Sequence, residues 1–233
     1  GPLYAEISPR TFSVKVRHGS RLSQLRLRRG QQSLDDVALT QLQQAHKIVQ
    51  FDDQTQISIQ DGIGLSVNLT PQIDTELVGW RARKHAGLID VDVVGGQPAA
   101  RFWEAVTLRD LTRGGLVLNP DEFYILASRE FVTVPPDYAA EMRAYDTRVG
   151  EFRAHYAGFF DPGFGVDEVG AHPTRAVLEV RSHDVPFLIE QGQTVCRLVY
   201  EPMVAAPDYL YGEEGSGSNY QSQGLKLAKH FQI

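Results

Sequence analysis

Ile63, Leu65, Val67 and Leu69 alternate with small or polar residues just after an Asp61-Gly62 pair, and runs of this kind recur along the chain. A period of two places successive side chains on opposite faces of a strand, so each run reads as a strand with one buried face. Residues 88–94, 116–118, 123–127, 131–134, 176–181, 187–189 and 195–200 carry a similar signal, with Gly and Pro between them at short intervals. Short strands so spaced predict a mainly β protein, a sandwich or distorted barrel with few short helices.

One segment departs from that period. Leu34, Val37, Ala38, Leu42, Ala45, Ile48 and Val49 recur at helical spacing behind Ser33, and Ser33-x-x-Asp36 has the form of a capping box. Residues 138–144 are expected to form a second, short helix. The longest apolar runs fall far short of the ~18 residues that span a bilayer, and no charged-then-apolar leader opens the sequence. With one cysteine, Cys196, no internal disulfide can close and a cysteine-based zinc site is excluded. Together these features favour a cytoplasmic protein without membrane association. A net charge of −6 argues against a nucleic-acid partner, although a small phosphorylated ligand needs only a local cluster of donors. Residues 10–29 are locally basic (Arg10, Lys15, Arg17, Arg21, Arg26, Arg28, Arg29), and the plain expectation is a solvated face of strands.

Residues 3–8, 12–17 and 22–27 also read as strands. A shift that lays Glu6 on Glu179 also lays Gly19 on Gly192 and Leu25 on Leu198. Apolar positions follow: Ile7 with Val180, Val14 with Phe187, Val16 with Ile189, and Leu22 with Val195. So long a period is a whole domain and not a solenoid unit. Gly1-Pro2-Leu3-Tyr4 leads directly into strand-like sequence with no initiator Met. The expected organisation is therefore the C-terminal end of a first domain copy in residues 1–30 and a second copy in 33–211. Residues 212–233 are expected to be a flexible arm and polar tail.

Glu179 is the strongest candidate for chemistry. It lies among apolar strand residues in Ala176-Val-Leu-Glu-Val180, where partial burial would raise its pKa toward the range of a general base. The same alternation also allows it to face water from an edge strand. Ala157-Gly-Phe-Phe-Asp-Pro-Gly-Phe164 holds an Asp-Pro-Gly turn that could simply brace itself, or could aim Asp161 at a sugar or base. Arg143 and Arg148 carry forks suited to phosphate, though paired surface arginines are more often only solvated. Other chemistries drop out. Gly62-Ile-Gly64 lacks the rest of a phosphate loop, the seven histidines have no metal-ligand spacing, and the zinc deaminase signature is absent. Nucleophile motifs built on Ser or Cys are missing, and Cys196 sits in an apolar strand.

The order of these signals carries a resemblance. Phe123-Tyr-Ile-Leu-Ala-Ser-Arg-Glu-Phe-Val-Thr-Val-Pro135, then Arg143 and Arg148-Val-Gly150, then Ala157 to Gly163, is similar to the dCTP deaminase branch of the dUTPase-like family. Ala176 to Val180, Gln191-Gly192, Leu198-Val-Tyr-Glu-Pro-Met203 and the tail Tyr220-Gln-Ser-Gln223 continue it in order. The match covers roughly residues 115–225, and residues 1–30 resemble the matching end of a first domain in the tandem-domain members. The resemblance implies a distorted β-barrel or jelly-roll of the dUTPase-like type, assembled as trimers with sites between subunits. It implies hydrolytic deamination of dCTP to dUTP and ammonia, without zinc, with magnesium brought by the triphosphate. It further implies that Glu179 activates the water, or Glu6 if the working site is in the first copy. Arg148 would hold that site, Arg143 would approach the triphosphate, and Asp161 would lie near the deoxyribose. Ala157 would offer backbone groups to the base, while Tyr220, Gln221 and Gln223 would close over the phosphates.

Three departures stand out. Ala144 and Tyr145 replace the family's Ser-Ser, Phe159 stands where an arginine commonly precedes the Asp-Pro-Gly, and an extra loop occupies about 165–174. They raise two alternatives: a non-catalytic nucleotide-binding or assembly domain, and a dUTP diphosphatase that shares the fold.

Overall fold

The computed structural model describes the chain except residues 31, 52–54, 145–151, 155–157, 168–169, 172–173, 183, 214–224 and 233. Its centre is a ten-stranded sheet whose main path runs Phe152–Ala154, Thr174–Ser182, Tyr124–Val132, Ile63–Asn68, Thr194–Pro202, Tyr138–Ala144 and Phe159–Phe160. Three further strands join it: Val49–Gln50 and Leu77–Ala82 on Tyr124–Val132, and Trp103–Thr107 on Leu77–Ala82. A smaller sheet pairs Phe187–Glu190, Gly115–Leu118 and Leu111–Thr112. The architecture is mainly β, as the alternation predicts.

Tyr124–Val132 organises the rest. One edge pairs antiparallel with Thr174–Ser182, and a register shift between Ala127 and Phe131 breaks that ladder. Its other edge pairs in succession with Trp80/Arg81, Val67/Asn68 and Val49/Gln50. The two runs read separately at 123–127 and 131–134 are thus one bulged strand. Arg175 closes the break, donating from Nη1 to the Ser128 and Arg129 carbonyls at 2.9 and 2.5 Å.

Residues 138–144 form a strand, not the expected helix. Tyr138–Ala144 pairs with Thr194–Pro202 from Tyr138↔Pro202 to Ala144↔Cys196. Its Ala, Glu and Met residues favour helix locally, but a full ladder and burial of Ala140 and Met142 override that weak preference.

The predicted helix is present and shorter. It spans Asp36–His46, with Leu39 and Leu42 buried and Val37 exposed. The cap is Asp35, whose carboxylate accepts from the Ala38 amide at 2.8 Å. Ser33 instead accepts from Arg143, and Asp36 accepts from the amides of Asp61 and Gly62 at 2.9 and 3.1 Å. Lys47, in the left-handed region, ends the helix, so Ile48 and Val49 belong to the following strand region and to the core. Asp35→Ala is expected to cost about 1 kcal/mol and to lower Tm by about 3 °C, measured by thermal denaturation.

The long strands have two faces, and each face builds a core. Tyr124, Leu126, Ala176, Leu178 and Val180 enter the main cluster. Ile125, Ala127 and Val177 point the other way, into a second cluster with Phe102, Trp103, Leu225 and Leu227, against which Phe12 and Phe231 pack. Residues 225–232 are therefore docked rather than a loose tail: Leu225 accepts from the Trp80 indole at 3.2 Å, and Phe231–Gln232 pairs with Gln97–Pro98.

The N-terminal segment behaves differently from expectation. Only Ser13–Lys15 forms a strand, parallel to Leu88–Asp90, while residues 3–8 and 22–27 join no ladder. Side chains hold the segment instead. Phe12 packs edge-on against Phe102 and Trp103 at 5.3 Å, and Arg17 pairs with Asp90 and Asp92 at 2.5 and 3.0 Å. Arg26 pairs with Asp161 at 2.7 Å, and Arg28 with Glu141 and Glu201 at 2.7 and 3.0 Å. Four members of the basic run, Lys15, Arg17, Arg26 and Arg28, thus lie on acids of the main body, while Arg10, Arg21 and Arg29 are exposed as expected. Opposite charges far apart in sequence find each other in a way no local pattern announces.

One local feature recurs at the shifted positions. Gly19 and Gly192 both have positive φ, at 90° and 76°. The Ser20 amide donates to the Arg17 carbonyl at 3.0 Å, as the Gln193 amide does to the Glu190 carbonyl at 3.1 Å. The reciprocal bonds match as well, from the Arg17 amide to Ser20 Oγ and from the Glu190 amide to Gln193 Oε1.

Candidate active site

Thr174–Ser182 alternates without a break. Thr174, Ala176, Leu178, Val180 and Ser182 are buried on one face, which leaves Arg175, Val177, Glu179 and Arg181 together on the other. This strand is no edge, since it lies between Tyr124–Val132 and Phe152–Ala154. Glu179, opposite Ile125, is exposed at the wall of a cavity of about 580 Å³. Phe12, Trp103, Phe123, Phe159, Phe160 and Phe231 supply much of its wall. The carboxylate keeps solvent access through the cavity, yet protein surrounds it closely. That burial raises its pKa above the ordinary 4.5, and the positive charge of Arg181 offsets part of the rise. A poised carboxylate in an apolar recess with room for a flat ring can move protons on a bound heterocycle.

The other expected site residues fall in several places. Asp161 does not line the cavity: its Oδ1 accepts from Gln24 Nε2 at 3.1 Å and Arg26 Nη2 at 2.7 Å. The Asp-Pro-Gly turn closes as drawn from the sequence, with the Phe164 amide on the Asp161 carbonyl at 3.1 Å and Gly163 at φ 92°. Phe159 does line the cavity, and Arg26 stacks over its ring at 4.1 Å. A guanidinium therefore still reaches Asp161, but from residue 26. Arg143 is exposed and donates to Ser33 at 2.7 Å. Glu6 is exposed, as Glu179 is, but it joins no strand. Arg148, Ala157, Tyr220, Gln221 and Gln223 lie outside the described residues.

Several lining residues escape a reading of the sequence alone. Arg175 was legible in principle, since it shares the parity of Glu179 on one strand, as does Arg181, which does not line this cavity. Arg181 donates to Thr11 Oγ1 and lies over Phe123 at 4.5 Å. Phe12, Lys226, His230 and Phe231 come from the two ends of the chain, and no spacing rule brings them there. Cys196 is fully buried, which pushes its thiol pKa far up and leaves it unreactive. Among the described residues no three His, Cys, Asp or Glu side chains gather as metal ligands, and no helix is long and apolar enough to cross a membrane.

The 2'-deoxycytidine 5'-triphosphate deaminase C-terminal domain model matches residues 35–231, and the N-terminal domain model matches residues 1–31. The dCTP deaminase, dUMP-forming, of Methanobrevibacter smithii is 29% identical over 136 residues, covering 57% of this chain and 65% of that protein. The protein of the same description from Mycobacterium marinum is 30% identical over 129 residues, covering 54% and 64%. The crystal structure of 2'-deoxycytidine 5'-triphosphate deaminase from Agrobacterium tumefaciens superimposes with a TM-score of 0.75 at 49% identity, covering 84% of this chain and 58% of that one. The chain thus spans less than two thirds of the length of these relatives. With a family-domain match running from residue 35 to 231 and a shared fold, the chain belongs to the 2'-deoxycytidine 5'-triphosphate deaminase (dCTP deaminase) family.

Proposed function

We propose that this chain acts in the hydrolytic deamination of dCTP, with Glu179 as general base. The observation that carries the reading is the central-strand carboxylate facing an aromatic cavity, its pKa raised by burial. In this scheme the cytosine ring enters the cavity and Glu179 takes a proton from a water that attacks C4. The new C4–O bond forms, the proton passes to the exocyclic amine, and the C4–N bond breaks to release ammonia. Atoms balance as dCTP plus water giving dUTP plus ammonia, with no change of oxidation state. Zinc has no role in the scheme, and magnesium enters on the triphosphate oxygens rather than on protein ligands. Trimer assembly, with sites shared between subunits, belongs to the same proposal.

The relatives described as dUMP-forming make product analysis part of the test. Incubation of the protein with dCTP and magnesium is expected to release ammonia, and chromatography then separates dUTP from dUMP plus pyrophosphate. The ionised form of Glu179 is the base, so kcat/KM should rise with pH through its titration. The acid limb is expected to lie above the ordinary glutamate value of 4.5. A limb at or below that value would remove Glu179 from the role.

A second reading has an observation of its own. Asp161 is engaged by Arg26, and Phe159 occupies the cavity wall. On this reading residues 35–231 support binding and assembly, and catalysis falls to the domain copy that contains Glu6. The recurring turn at Gly19 and Gly192 supports the two-copy organisation behind it.

A further inference from the structure

Trp103 carries an unmet donor at the wall of the Glu179 cavity. Its side chain is buried, only 4% exposed, and its indole N–H finds no acceptor among the described residues. The other tryptophan, Trp80, donates to the Leu225 carbonyl at 3.2 Å. One more buried side-chain atom lacks a partner among the described residues, the Thr133 hydroxyl, but Thr133 does not line this cavity. A buried donor left unpaired is costly, and a phenylalanine would avoid that cost. The indole is also held firmly. Phe12, Phe123 and Phe231 pack around it with ring centroids at 5.3, 5.9 and 5.7 Å. Its backbone amide donates to the Ala99 carbonyl, and its carbonyl accepts from Arg83 Nε at 3.3 Å.

The sheet register puts Trp103 on the face of Glu179. Glu179 pairs with Ile125, Ile125 with Trp80, and Trp80 with Ala105. Paired residues share a face, and so does Trp103, two residues from Ala105. Ile125 and Trp103 accordingly enter one core cluster. Three strand spacings, about 14 Å, separate the strands of Trp103 and Glu179, and both side chains line the same cavity. An indole N–H can only donate. A ring whose reacting carbon meets Glu179 must therefore offer an acceptor toward Trp103. In cytosine N3 adjoins C4, and the C2 carbonyl lies beyond it. We propose that Trp103 is a specificity-determining residue, its indole N–H donating to the C2 carbonyl of the pyrimidine while C4 faces Glu179. The identity of the ring rests on the deaminase reading above; the need for an acceptor at Trp103 does not. The reaction leaves the C2 carbonyl unchanged, so this bond holds substrate and transition state alike. Trp103→Phe should therefore raise KM for dCTP about tenfold with kcat nearly unchanged.

The hydrogen bond can be observed directly. The chain has two tryptophans, so a proton–nitrogen correlation spectrum holds two indole signals, which Trp103→Phe or Trp80→Phe assigns. In Glu179→Gln, which should hold dCTP unreacted, saturating dCTP is expected to move the Trp103 proton downfield and leave the Trp80 signal in place. Calorimetry on the same protein should show the 2-thio analogue of dCTP, whose sulfur is a poor acceptor, binding about tenfold more weakly than dCTP. That difference should vanish in Glu179→Gln/Trp103→Phe. If Trp103→Phe fails to fold, the spectrum and the sulfur comparison in Glu179→Gln still decide. An unmoved Trp103 signal with dCTP bound, equal binding of the two nucleotides in Glu179→Gln, or no saturable binding would overturn the inference. So would a sulfur penalty that persists in the double variant. Ammonia release from dCTP by the wild type would then leave the deaminase reading standing. A shifted Trp103 signal without ammonia release would instead sink that reading and keep the cavity as a pyrimidine-binding site.

Discussion

Glu179→Gln is expected to lower the rate of ammonia release from dCTP by about a thousandfold, within the range for loss of a general acid–base group. The substitution keeps shape and removes only the ability to take a proton. It should also leave Tm at neutral pH unchanged or raised, and the sign follows from linkage. A carboxyl whose folded pKa lies above its unfolded value is penalised when charged, so it opposes folding at pH values above the folded pKa. The penalty fades as pH falls through the folded pKa and vanishes below the unfolded value, where both states are protonated. The variant's advantage should therefore be present at neutral pH and absent below the ordinary 4.5. Lost activity with an unchanged or higher Tm marks a group placed for function at some cost to stability. Lost activity with a clear drop in Tm would mark a structural residue. Activity that survives Glu179→Gln but disappears with Glu6→Gln would favour the second reading.

Gly165→Ala is expected to destabilise the protein by about 3 kcal/mol, from left-handed strain and a forced backbone shift together. The corresponding loss in Tm is about 10 °C. Gly165 has φ 71°, and a Cβ there would press into the Val132 carbonyl oxygen, with Thr133 Cα at 3.2 Å beyond it. Neither is the loose end of a side chain, so the backbone must give way. Gly114→Ala separates the two causes. It has φ 81° but meets nothing within 4 Å, so only strain of about 1–2 kcal/mol should remain. Equal losses at both sites would show that the close approach at Gly165 contributes nothing.

The fold class was legible because strand alternation is a local property. Leu65, Val67, Leu178 and Val180 declare their buried face by spacing alone, and in the structure they enter one core. The same spacing put Glu179 on the face opposite Leu178 and Val180, with Arg175 and Arg181 beside it. A helix near residue 36 was legible for a similar reason, though its cap moved from Ser33 to Asp35. Tyr138–Ala144 was misread because its Ala, Glu and Met favour helix, a preference worth less than a ladder with Thr194–Pro202.

What lines the Glu179 face was decided by tertiary structure. Phe12 and Phe231 meet there from opposite ends of the chain, and Trp103 arrives from a third element. Arg26 reaches Asp161, and Arg10 crowds Arg181, across sequence separations that no periodicity spans. The sequence by itself determined which side chains share a strand face, because that depends only on parity along the backbone. Only the tertiary structure decided whether such a face meets water, an apolar cavity or a nest of cations. That outcome depends on which distant segments gain more by packing there than by staying in solvent.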